Sequence, residues 1–225
     1  MTTLVLLVAL MGMPPQTACK PQFAPLDTGS HSGASSLNFW RKEEAGEWGG
    51  EGWLGWTGNS DDTLRPVRLV VRDRPKDRGD DEDEVSVDSP PDVRFAVRCI
   101  PNLRAGRIRT TSINEESLKP NLPLKVSLGS RRYELRLQST REDLYDAQVV
   151  LSYGQQTQVL YSADGFADEP HFDIVWTGDL DRDGKLDLIV NLERKYSWHP
   201  YRLLLSSKAV ETELVGQAAI FETGD

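Results

Sequence analysis

Apolar residues recur at every second position through most of this chain, and that period limits the possible fold more than any other feature. Val67, Leu69 and Val71 alternate with Arg68 and Arg72. Leu122, Leu124, Val126 and Leu128 alternate with Lys125 and Ser127, and Tyr133, Leu135 and Leu137 alternate with Arg132, Glu134 and Arg136. Successive side chains of an extended strand point to opposite faces, so each run predicts a strand with one face inward and one in water. Gly129-Ser130 separates the second run from the third, and Gly154-Gln155 separates AQVVLSY from TQVLYS, as tight hairpins require. No segment carries a convincing helical period, and Glu115 to Leu118 is one turn at most. The expected fold class is all-β, an antiparallel meander closing into a β-sandwich or barrel-like domain. With 225 residues, one domain with its own core is expected.

Two such alternating stretches flank TGDLDRDGKLDLIV, Thr177 to Val190. Phe172, Ile174 and Trp176 lead into it, and Leu186, Leu188, Val190 and Leu192 lead out. Asp179, Asp181 and Asp183 stand at alternate positions, Gly184 follows at once, and Asp187 closes the set. Alternate carboxylates on a tightly curled loop converge on one centre, and a glycine after the third lets the backbone turn back around it. The backbone carbonyl of Lys185 would add a ligand, and a water would complete a six-oxygen shell. Hard oxygen donors without His or Cys select calcium over zinc or copper, and a flexible loop selects it over magnesium. The twelfth position, where an EF-hand has its closing glutamate, is Val190 inside an apolar strand. The loop therefore joins strands, not helices.

The residues GDLDRDGKLDLIV resemble the calcium hairpin of FG-GAP, or integrin-alpha-like, repeats, which also occur in bacterial VCBS-type surface proteins. Carried over position by position, the resemblance implies Asp179, Asp181, Asp183, the Lys185 carbonyl and Asp187 as calcium ligands, within a hairpin spanning 172–192. In that family the hairpin recurs once per blade of a β-propeller and the ion rigidifies the turn. One copy is found here, so a partial β-propeller-like arrangement is the alternative to a sandwich or barrel.

The N-terminus reads as an address. An apolar run from Leu4 to Met13 is too short to cross a bilayer as a helix, and it precedes Pro14, Pro15 and a small-residue stretch ending at Ala18-Cys19. Residues 1–18 are expected to be a secretory signal. Ala18-Cys19 resembles the end of a bacterial lipobox, which implies lipidation of Cys19 and a place in the periplasm or outer membrane, with membrane contact only through that anchor. A plain thiol is the alternative, as is a disulfide to Cys99, the only other cysteine. Cys99 continues the alternation of Val93, Phe95 and Val97, the position of a small buried hydrophobe. Residues 19–37, rich in Pro, Ser and Gly, are expected to be a flexible tether, leaving 38–225 as the folded domain.

What the domain binds is less constrained. A net charge of -9, from 26 Lys+Arg against 35 Asp+Glu, works against a nucleic-acid partner and favours cations and basic proteins. Trp40, Trp48, Trp53 and Trp56 can plug the edge of a β core or form a platform that stacks on a glycan. The acidic run from Asp80 to Glu84 is expected in a solvated loop. His171 and His199 can meet near Asp173, but no nucleophile motif or phosphate-binding glycine loop accompanies them. The expectation is a non-enzymatic binding module of the cell envelope that meets an envelope protein or glycan and has one calcium site. A periplasmic inhibitor or immunity protein and a calcium-dependent glycan-acting enzyme are the alternatives.

Overall fold

The computed structural model describes residues 19–26, 39–58, 62–74, 83–113, 117–163, 169–193, 195 and 198–224. Every pairing between its strands is antiparallel, and the fold is all-β. The first sheet runs, in spatial order, β1 (Gln22–Pro25), β6 (Val93–Arg98), β3 (Gly50–Thr57), β4 (Thr63–Asp73), β5 (Glu84–Asp88) and β2 (Phe39–Arg41), with β7 (Gly106–Arg107) also on β4. The second is a four-stranded meander of β9 (Leu124–Leu128), β10 (Arg131–Gln138), β11 (Gln148–Tyr153) and β12 (Gln156–Ser162). The third joins β8 (Arg109–Thr110) to a meander of β13 (His171–Asp179), β14 (Asp187–Glu193), β15 (Trp198–Leu205) and β16 (Gly216–Gly224).

The predicted alternation is realised in the second sheet. Val126, Leu128, Tyr133, Leu135, Leu137, Val149 and Leu151 are all buried on one face. The hairpin glycines Gly129 and Gly154 take φ of 58° and 61°, the left-handed region that a side chain disfavours. The third sheet departs from the one-face-in-water expectation. Leu188, Val190 and Leu192 of β14 pack with Phe172 and Ile174 against the second sheet. Ile189 packs with Trp176, Leu203 and Phe221 against the first sheet. All seven residues of β14 are therefore buried, because its sheet is the middle layer of three. Burying each Leu or Ile contributes about 1.5–3 kcal/mol, so this strand anchors the fold.

The tryptophans plug the core between the first and third sheets. Trp40, Trp48 and Trp53 are buried, and Trp56 is partly so. Trp40 and Trp48 close on Phe221 of β16 at ring distances of 5.1 and 5.0 Å, and Trp48 meets Trp53 edge-on at 69°. The Trp53 indole donates to the Trp48 carbonyl at 2.8 Å. Buried and tilted rings do not form the glycan platform that the sequence left open.

Two expectations about the N-terminal region are corrected. Residues 19–37 are not a tether throughout, because β1 pairs with β6 and buries Phe23, Ala24 and Leu26. Cys19 is bonded to Cys99, with Cα atoms 5.7 Å apart. A sulfur in a disulfide cannot also carry a thioether-linked lipid, so the disulfide stands in place of lipidation at Cys19. Cys99 itself lies just past the end of β6, with φ of 61°. The signal expectation at 1–18 and most of the acidic run, Asp80 to Glu82, lie outside the described residues. Among the described residues no helix is long and apolar enough to cross a membrane, and the disulfide fits an extracytoplasmic compartment.

Candidate metal centre

Strand β13 ends at Asp179 and β14 begins at Asp187, so the sheet itself fixes two of the four aspartates. Their register pairs Gly178 with Asp187. Gly178 cannot be replaced without disturbance: a Cβ there would sit 2.2 Å from the Arg109 carbonyl oxygen, across the pairing with β8. Between the strands the chain curls through Leu180, which is buried, and through Arg182 and Gly184, with φ of 67° and 81°. Gly184 meets no crowding, so its left-handed backbone, not space, is what calls for glycine.

The carboxylates hold the loop from inside. Asp187 is fully buried: Oδ2 accepts from the Leu180 and Asp181 N–H groups at 2.7 and 3.3 Å, and Oδ1 accepts from Ser206 N and Oγ at 2.8 and 3.1 Å. Asp179 Oδ2 accepts from Gly184 N at 3.2 Å, and Asp181 Oδ1 accepts from Asp183 N at 3.2 Å. Asp179, Asp181 and Asp187 each bring a carboxylate oxygen within 4.8 Å of the others, so this cluster can hold a metal ion. Two oxygens in it, Asp179 Oδ1 and Asp181 Oδ2, are buried with no hydrogen-bond partner. A buried carboxylate oxygen without a partner costs free energy that a cation would recover.

Asp183 and Lys185 lie on the exposed side of the loop. Asp183 is exposed and outside the converging set; its oxygens accept from Lys185 N and Ser206 Oγ, both at 2.8 Å. Lys185 is also exposed, and its contact with the set is that N–H on Asp183. Arg182 forms no ion pair with these aspartates among the described residues. Its guanidinium donates outward to the carbonyls of Arg107 and Arg104, at 2.8 and 2.9 Å.

Sequence reasoning missed Ser206, which follows β15 and binds two of the aspartates, and Tyr133, whose hydroxyl accepts from Leu186 N at 3.3 Å. Neither has a local signal, since Tyr133 reaches the loop from β10 and Ser206 from the turn after β15. Burial, reinforced by the Asp181 charge, pushes the Asp187 carboxyl up to about 7. Burial also raises Asp179, with the Asp183 and Asp181 charges adding to it. Both shifts reflect a pocket that disfavours unbalanced negative charge.

The histidine cluster forms around Glu193, at the far end of β14. His199 Nδ1 lies 2.5 Å from one oxygen of this buried carboxylate, and His171 Nδ1 lies 3.4 Å from the other. Asp173 instead accepts from Ser117 Oγ at 2.5 Å. The chain matches no family model, no curated protein and no solved structure.

Proposed function

We propose that this protein is an extracytoplasmic binding module in which one calcium ion, held by Asp179, Asp181 and Asp187, sets the conformation of the 172–192 hairpin. The observation that carries the reading is the pair of buried, unpartnered oxygens on Asp179 and Asp181, facing an all-oxygen donor set. Such a set without His or Cys suits a hard cation, and a flexible irregular loop suits calcium better than magnesium. The Arg182 clamp passes the order of the loop on to the Arg104 to Arg107 segment. The disulfide supports a place outside the cytoplasm, at the cell envelope, and the acidic net charge supports a protein or small-molecule partner over nucleic acid.

Thermal unfolding tests the ion. A ligand that binds only the folded state raises stability by RT ln(1 + [L]/Kd), so calcium at about 100 times its Kd adds about 2.7 kcal/mol. Calcium is expected to raise the wild-type midpoint relative to chelator and to leave Asp181→Asn unmoved, with magnesium weaker. No calcium response in the wild type would overturn the assignment. A pulldown from the native envelope, with and without chelator, tests the binding role: capture lost on chelation supports it, and no specific capture in either condition rejects it.

A further inference from the structure

A surface cleft of about 740 Å³ runs along the outer wall of the aspartate loop, between it, the β7 to β8 segment and the β9 to β10 turn. Arg107 and Arg109 line it and are exposed, and Ile108 between them is buried. Arg107 ends β7 and Arg109 begins β8, and both border this one cleft. Neither has a hydrogen-bond or ion-pair partner among the described residues. By contrast, the exposed Arg72 and Arg141 pair with Asp88 and Asp143, both at 2.6 Å. In a chain with 35 acidic and 26 basic side chains, two adjacent unpaired arginines beside a cleft point to a ligand that brings its own negative charge. The cleft also contains the side chains of Ser127 and Thr110, and the Thr110 hydroxyl has no partner.

We infer that this cleft binds an oxyanion, a carboxylate or phosphate group carried on a small polar molecule, with Arg107 and Arg109 as the anion-binding residues. Guanidinium forks match both groups in geometry and bind them more strongly than neutral donors do. Two features couple the site to the cation, and this coupling rests on the calcium reading above, whereas the grip of the arginines does not. The first is electrostatic. The cleft lining carries Asp62, Asp179 and Asp183 against Arg107, Arg109 and Arg182, and Asp181 and Asp187 add further negative charge within 4.8 Å of an Asp179 oxygen. A bound divalent cation adds two positive charges, which turns a wall that repels an anion into one that tolerates it. The second is mechanical: Arg182, on the loop, holds the Arg107 carbonyl at 2.8 Å, so a loosened loop loosens the anion site.

The test is isothermal titration of the full chain with two probes, phenyl phosphate and methyl glucuronide, in calcium and in chelator. Wild type and the double variant Arg107→Gln/Arg109→Gln are compared, and unfolding midpoints in calcium verify that both are folded. Binding of at least one probe in calcium, weakened at least tenfold by the double variant and by chelator, supports the proposal; the probe that binds identifies phosphate or carboxylate as the source. No binding of either probe to calcium-loaded wild type, or binding unchanged in the double variant, overturns it. Binding that needs the arginines but ignores chelator overturns the coupling. The calcium reading is scored separately, by the wild-type midpoint shift, so its failure is distinguishable from failure of the anion site.

Discussion

Replacing Cys19 and Cys99 together by serine is expected to remove much of the folding free energy of the domain. The bond ties residues with a sequence separation of 80. In the loop-entropy account a crosslink restricts the unfolded chain by about 2.1 + 1.5R ln n cal/mol/K, which for a loop this long is about 15 cal/mol/K, or about 4.5 kcal/mol at room temperature. That is a large share of the roughly 5–15 kcal/mol that stabilises an ordinary domain. At about 2–4 °C per kcal/mol for a chain of this size, the midpoint should fall by on the order of 10 °C. The substitution does not relieve strain, since serine at position 99 inherits the φ of 61°. The folded-state loss is confined to the anchoring of β1, whose Phe23, Ala24 and Leu26 remain able to bury themselves on β6. Thermal and urea unfolding would compare oxidised wild type, reduced wild type and the double serine variant, with thiol titration alongside. The reduced and serine proteins should shift together. A serine variant melting within about 1 °C of the oxidised wild type would refute the entropy argument, and two free thiols in the unreduced protein would reject the crosslink itself.

Gly178→Ala should lower stability by about 2–3 kcal/mol in calcium and in chelator alike, because overpacking against backbone cannot relax; its Cβ would lie 2.2 Å from the Arg109 carbonyl and 2.6 Å from the Trp176 ring. A urea midpoint equal to wild type would show that β8 can move aside. Asp187→Ala leaves the N–H groups of Leu180, Asp181 and Ser206 without their acceptor, so it should destabilise by about 2–4 kcal/mol even in chelator, whereas Asp181→Asn should lose only the calcium response. Indistinguishable unfolding curves for the two variants would contradict that division of roles. Asp146 accepts hydrogen bonds from the hydroxyls of Ser139 and Thr140, which hold its carboxyl well below the usual carboxylate range. Its folded-state pKa is depressed, so its stabilisation is present above the unfolded-state value of about 3.9 and is lost as pH falls below it. The stability gap between wild type and Asp146→Ala, measured by urea unfolding, should therefore be widest near neutral pH and close in strong acid; a gap independent of pH sinks the idea.

Strand content and the curl of the aspartate loop were legible because both depend on residues close in sequence. Period two is a property of the extended backbone, and it located β9, β10, β11 and β13 without any knowledge of their neighbours. The spacing of Asp179, Asp181 and Gly184 encodes a local turn in the same way, and Val190 showed that a strand, not a helix, follows it. The same locality explains the errors. Gln22 to Pro25 has a tether-like composition, yet it is a strand because β6 offers it an open edge. The spacing of the aspartates likewise gave no sign of Ser206, 23 positions from Asp183, which donates to one of its oxygens.

What the sequence determined by itself is the all-β class, the hairpin turns and an oxygen-rich loop suited to a hard cation, since each follows from side chains within a few residues of one another. Only the tertiary structure decided that β14 is covered on both faces, that Cys19 meets Cys99, that Ser206 and Tyr133 support the loop, and that Arg107 and Arg109 share a cleft with it. These depend on which sheet packs on which. That choice comes from the summed burial of distant apolar faces, and no single segment of the chain encodes it.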